Sequence, residues 1–174
     1  IRVSIPINFQ PFAQYAEPST PLPPAPVLFA LACGPSLGGA PQWTLAAARV
    51  LKSLGHGVGI IVHASRPSDT PDVLAWPKGV RIFDLTHEPP LEGTHRETGA
   101  KLDAAGWDRL ASAYAGAIDA MHAAQDVFDP RPVVCIPSLL GDCYGLFARV
   151  SHTHAPRMRV AALVHSPVVY DRAI

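Results

Sequence analysis

The sequence predicts an α/β domain built on an open, doubly wound parallel sheet, and three observations carry that prediction. Five short, mostly apolar runs (Val27 to Ala32, Val58 to His63, Val80 to Leu85, Val133 to Ile136 and Val160 to His165) read as strands, and most lack the strict polar alternation of a sheet wetted on one face. Segments with apolar residues at helical spacing separate most of these runs, which is the pattern of βαβ units. The composition suits one such domain: 48% of the 174 residues are apolar and 16% charged, enough to fill a core, in a chain too short for two domains of ordinary size.

The elements follow in order. Residues 1–17 alternate at Val3, Ile5 and Ile7, but Pro6, Pro11 and Pro18 confine any strand there to a short edge. Pro18 to Pro26 carries five prolines in nine residues and reads as a stiff connector. Residues 1–26 are therefore an arm and linker, and the domain occupies 27–174. The first strand runs into Cys33-Gly34-Pro35-Ser36-Leu37-Gly38-Gly39 and then a helix with apolar positions Trp43, Ala47, Val50, Leu51 and Leu54. Pro41 suits its first turn, where a missing N–H costs nothing, and Gly55 suits the left-handed position just past its end. After the second strand, Arg66 to Lys78 is a polar loop leading to the third. Thr86 to Gly106 reads as a long loop with one helical turn, of a length uncommon outside functional loops. Trp107, Leu110, Tyr114, Ile118 and Met121 share one face of a helix from Gly106 to Val127, a core stripe ended by Asp129-Pro130. The fourth strand leads to a helix from Gly141 to His152, with Leu146, Phe147 and Val150 inward, and then to the fifth strand.

Ligands of such sheets bind beyond the carboxyl ends of the strands. Three loops converge there: Gly34 to Gly39, Pro137 to Asp142, and His165 to Tyr170. A Gly38-Gly39 loop lets a phosphate approach main-chain N–H groups without Cβ interference, and the helix start adds about half a positive charge. The spacing is neither GxGxxG nor the phosphate-binding loop ending in Lys-Ser/Thr. His165, directly after an apolar strand, is placed to hydrogen-bond a sugar hydroxyl or a phosphate. His63, at the end of the second strand, has a supporting role open to it, and His56 reads as a cap on helix carbonyls. His152 and His154 stand two apart and make a poor metal pair. Ser36 and Ser138 lack a GxSxG elbow or a His/Asp companion, so nucleophilic hydrolysis is not indicated. Asp142 could serve as a base or as a helix cap, and Arg157 and Arg159 read as solvated edge charges.

Lysine plus arginine and aspartate plus glutamate balance at 14 each, so no basic field points to nucleic acid, while local patches leave peripheral membrane contact open. Cys33, Cys135 and Cys143 form neither a metal motif nor an even disulfide framework, and no apolar run approaches a span of about 20 residues. A cytoplasmic protein with reduced thiols is the expectation. Both ends, Ile1 and Ile174, read as cut.

Taken together, Gly38-Gly39-Ala40-Pro41-Gln42-Trp43-Thr44-Leu45-Ala46-Ala47-Ala48-Arg49-Val50-Leu51 and Leu54-Gly55-His56-Gly57-Val58 resemble the amino-terminal half of a GT-B glycosyltransferase, most closely the retaining family-four group. Phe128-Asp129-Pro130 before the fourth strand and Val164-His165-Ser166 at the end of the fifth are similar to that group as well, so the resemblance spans roughly residues 27–170. It implies a Rossmann-like domain that works with a second domain to transfer a hexose from a nucleotide-sugar donor to a sugar, lipid-linked or small-molecule acceptor. By that resemblance Gly38 and Gly39 meet the donor diphosphate, and His165 meets the transferred sugar. Gln42, Trp43, Ser138 and Asp142 line the acceptor side, and no metal or other cofactor is required. Pro137-Ser138 stand where the family commonly has a histidine, and the second domain with its paired glutamates is not in this sequence, so the chain alone is expected to be inactive. The alternative is a non-catalytic Rossmann-like module for a phosphorylated ligand or a partner protein. A nicotinamide-dependent reductase is disfavoured, because Val62-His63-Ala64 supplies no acidic residue at the end of the second strand.

Overall fold

A computed structural model of the chain describes residues 23–31, 39–63, 75–88, 103–125, 130–137 and 142–161. Within them lies a single sheet of five parallel strands: β1 (Val27–Leu31), β2 (Val58–Val62), β3 (Arg81–Asp84), β4 (Val133–Pro137) and β5 (Met158–Val160). Their order is β3-β2-β1-β4-β5. The chain builds outward from β1 in one direction, returns, and builds outward in the other, which is the doubly wound, Rossmann-like arrangement that the sequence predicts. β1 pairs with β2 from Val27↔Val58 to Leu31↔Val62 and with β4 from Val27↔Val134 to Ala30↔Pro137, and every residue of β1 and β2 is buried.

Three helices cover the sheet: α1 (Gly39–Ser53), α2 (Ala104–Ala123) and α3 (Asp142–His154). α1 packs on the face formed by Val27, Phe29, Leu31, Val58, Ile60 and Val62. α2 and α3 cover the other face, where Tyr114, Ile118, Leu146 and Phe147 meet Leu28, Ala30 and Ile61. Alternation along each central strand thus feeds two cores at once, which is why β1 and β2 carry no polar position.

The helix ends follow local chemistry. α1 closes on Gly55, whose φ is 88°, with Gly55 N–H donating to the Lys52 carbonyl and His56 N–H to that of Leu51, the paired bonds of a Schellman ending. α2 opens on Asp103, whose carboxylate accepts from Gly106 N–H at 2.7 Å.

Several expectations move. α1 buries Pro41, Thr44, Leu45 and Ala48, while Val50 and Leu54, expected inward, are 58% and 62% exposed. α2 starts at Ala104 and ends at Ala123, because the Asp103 cap sets its start, whereas the sequence reading put it at Gly106 to Val127. α3 continues through His154, and β5 begins at Met158, two residues earlier than expected. His56 does not cap the helix: Ala25 N–H donates to its Nδ1 at 3.1 Å, and that nitrogen lies 2.9 Å from the Ala25 carbonyl oxygen, tying the connector to the α1–β2 turn. Arg157 pairs with Asp119 at 2.8 Å, and His154 Nε2 stands 3.4 Å from the same carboxylate.

Candidate functional site

β1 and β4 are neighbours whose following helices lie on opposite faces of the sheet, so the crevice of the fold opens beyond Leu31 and Pro137. α1 and α3 both begin at that edge. The first turn of α1 holds no acidic residue, so its N–H groups face no carboxylate of their own turn, in contrast to α2, where Asp103 closes the end. A helix start of this kind attracts anions through its N–H groups and about half a unit of positive charge.

Gly39 is the first residue of α1 and is exposed; a Cβ built there meets nothing within 4 Å, and its φ is not in the left-handed region. Among the described residues nothing packs against this position, as is also true of Gly116 and Gly145, so the open space at Gly39 admits a ligand without requiring one. Gln42 is exposed in the first turn. Trp43 is half-buried and sets its ring edge-on to Phe29, 6.0 Å between centroids and 78° between planes, so the ring packs on the sheet. Asp142 is the first residue of α3, with its side chain outside the described set. Gly38, Ser138 and His165 also lie outside the described residues. The structure therefore brings Gly39, Gln42 and the backbone of Asp142 to one edge of the sheet.

The same edge holds a feature the sequence did not resolve. His63, one residue past β2, is only 3% exposed, and its N–H donates to the Leu31 carbonyl at 3.2 Å, which fixes it between the ends of β1 and β2. Its Nε2 lies 2.7 Å from the Tyr114 hydroxyl, and the Tyr114 ring meets Phe147 edge-on at 4.8 Å. Burial depresses the His63 imidazole from its ordinary 6.5 to about 4, so at neutral pH the ring is uncharged. Among the described residues, Nδ1 of His63 is buried and has no hydrogen-bond partner, and the same holds for Thr44 Oγ1 near the start of α1. The sequence signal was present in Tyr114: a tyrosine on a buried helix face needs a partner for its hydroxyl.

Comparison with protein-family models and with curated proteins finds no match.

Among the described residues no group of three or more His, Cys, Asp or Glu is arranged to hold a metal ion, and no helix is long and apolar enough to cross a membrane. Cys135 is buried, and desolvation pushes its thiol up to about 12, which makes it unreactive. A cavity of ≈ 470 Å³ lies at the opposite, amino edge, between the connector and the ends of α1 and α2. Much of its polar lining is engaged: His56 holds Ala25, and the Gln125 amide bonds both the N–H and the carbonyl of Arg131.

Proposed function

We propose that this chain is the acceptor-side half of a nucleotide-sugar-dependent glycosyltransferase of GT-B type, a cytoplasmic hexosyltransferase when joined to a second domain that carries the nucleotide site. The observation that carries the reading is Gly39: an exposed glycine against which no described residue packs, at the start of a helix without an acidic first turn, beside the strand-order switch. In this reading Gly38 and Gly39 admit the donor diphosphate to the N–H groups of α1. His165 contacts the transferred sugar, and Gln42, Trp43, Ser138 and Asp142 line the acceptor side. The bond from the anomeric carbon to the diphosphate breaks, a bond to the acceptor oxygen forms with retention, and the acceptor proton passes to the leaving phosphate oxygen. Stabilising the charge that develops on the diphosphate is the main demand, and N–H groups fixed in advance meet it without reorganisation.

The test uses the natural polypeptide that contains this chain. Nucleoside diphosphate release is followed with UDP-glucose and GDP-mannose in the presence of candidate acceptors. Gly39→Leu and His165→Ala are each expected to lower release by about 100-fold, the scale of losing one stabilising contact to a transition-state charge. Retention of most activity in both variants sinks the assignment. Saturable binding without turnover by the wild type would point instead to a non-catalytic module.

A further inference from the structure

The cavity of ≈ 470 Å³ at the amino edge belongs to no part of the proposed transfer site. Its size falls within the roughly 300–1,000 Å³ of small-molecule sites, and its wall combines apolar surface from Pro24, Pro26 and Met121 with a few polar groups. Those polar groups divide into two sets. The Gln125 amide is engaged by the Arg131 main chain, and the Leu51, Lys52 and His122 carbonyls at the helix ends accept from the His56, Gly55 and Gln125 N–H groups. The other set donates. Among the described residues the Lys52 ammonium has no hydrogen-bond or ion-pair partner, and of the His56 ring only Nδ1 is engaged, by Ala25. When Ala25 N–H donates to Nδ1, the neutral ring carries its own proton on Nε2. No described residue of the lining is acidic.

We propose that this cavity binds an apolar monocarboxylate, its hydrocarbon or aromatic body on Pro24, Pro26 and Met121 and its carboxylate accepting from Lys52 Nζ and His56 Nε2. The charge matches: one ammonium and one neutral N–H donor serve a single carboxylate through its two oxygens. The body is apolar because Gln125, the amide that would receive hydroxyl groups, is already engaged at both its oxygen and its nitrogen, and a buried hydroxyl without a partner is costly. The helix ends do not oppose the anion, since their carbonyls named above already accept main-chain N–H groups. The cavity lies at the sheet edge opposite the start of α1, so binding there neither requires nor tests sugar transfer.

The experiment is isothermal titration calorimetry at neutral pH on the natural polypeptide that contains this chain. Octanoate and benzoate are the probes, octanol and benzyl alcohol their uncharged counterparts, and inorganic phosphate the anion without an apolar body. The expected result is saturable binding of at least one acid, about tenfold tighter than its alcohol, the scale of one hydrogen bond to a charged group, and none of phosphate. Lys52→Met keeps the stem, removes the charge, and should weaken the acid about tenfold while leaving the alcohol unchanged. Gly57→Leu sends a side chain into the cavity from a position where a Cβ makes only ordinary contacts, 3.8 Å from Pro26 and 4.0 Å from Met121, and should abolish binding while the urea midpoint of unfolding is kept. Lys52→Met decides the matter by itself if Gly57→Leu does not fold. No saturable binding of either acid, an acid bound no tighter than its alcohol or displaced by equimolar phosphate, an affinity unmoved by Lys52→Met, or full binding by a folded Gly57→Leu overturns the proposal.

Discussion

The two edges of the sheet are built differently. At the amino edge the chain uses its own groups: Gly55 ends α1 with both Schellman bonds, His56 holds Ala25, Gln125 bonds Arg131 twice, and the Arg81 guanidinium donates to the Ala120 carbonyl at 2.9 Å. Among the described residues the carboxyl edge holds a glycine with open space around it, an α1 start without an acid, and two buried polar atoms without partners. Among the described residues, the amino edge matches its buried polar groups with its own, and the carboxyl edge holds polar atoms that these residues do not match. That contrast, rather than cavity size, locates the candidate site, since the described cavity lies at the amino edge.

Protonating His63 should break the contrast most severely. Its imidazole titrates near 6.5 in the unfolded chain and at about 4 in the folded one. The unfolded state therefore binds more protons between those values, so the stability held by the neutral ring is complete above pH 6.5 and is lost as pH falls to about 4. The loss runs at ~1.4 kcal/mol per pH unit, about 3 kcal/mol over the window. Urea denaturation between pH 7 and pH 4 should register it for the wild type, and His63→Phe should lose less by that amount. Parallel curves for the two proteins would mean that His63 is not the group taking up the proton.

Two glycines give the next largest effect and a direct comparison of the edges. A Cβ on Gly59, in β2, would stand 2.8 Å from Met121 Sδ, 3.0 Å from the Phe83 ring and 3.1 Å from Leu28 Cδ1. All three must yield, and Gly59→Ala should cost about 1–3 kcal/mol. Gly39→Ala meets no atom of the described residues and should stay within about 0.5 kcal/mol of the wild type in thermal or urea unfolding. Equal costs would erase the distinction between a glycine the core requires and one it does not. Gly55→Ala falls between them at about 1–2 kcal/mol, because a φ of 88° is costly for any residue with a Cβ.

Strand runs were legible because burial on both faces writes continuous apolar segments, and the end of α1 was legible because only glycine sits easily at the Gly55 dihedral. The face of α1 was legible only in part. Trp43, Ala47 and Leu51 of the expected stripe pack against the sheet, but the centre of the buried face is Pro41, Thr44, Leu45 and Ala48, which have the same helical spacing, and the alanines from Ala46 to Ala48 blur the contrast that would choose between them. The start of β5 was set two residues late because Arg159, exposed on an edge strand, breaks the apolar run that marks a central one; the expected stretch 162–165 lies outside the described residues. At the candidate site, Gly39 could be read from the chain as a glycine at a helix start. The His63–Tyr114 contact could not, since its partners stand 51 residues apart and meet only once β2 and α2 are stacked.

The smallest expected effect tests whether ion pairing contributes to holding the amino edge. Asp119 on α2 accepts from Arg157 at 2.8 Å and faces His154 at 3.4 Å, joining α2 to the short turn before β5. Desolvation works to raise its carboxyl, but the hydrogen bonds from Arg157 and His154 outweigh it, so the group lies below its ordinary value. The side chain remains 45% exposed, and pairs in that setting are screened by water and salt. Asp119→Asn should therefore cost less than ~1 kcal/mol in urea unfolding, with the difference shrinking in high salt. A larger, salt-independent loss would mean that the carboxylate anchors the α2–β5 junction as a fixed hydrogen-bond acceptor. In the expected case the amino edge is held by main-chain bonds and packing, and its charges are incidental to the contrast between the edges.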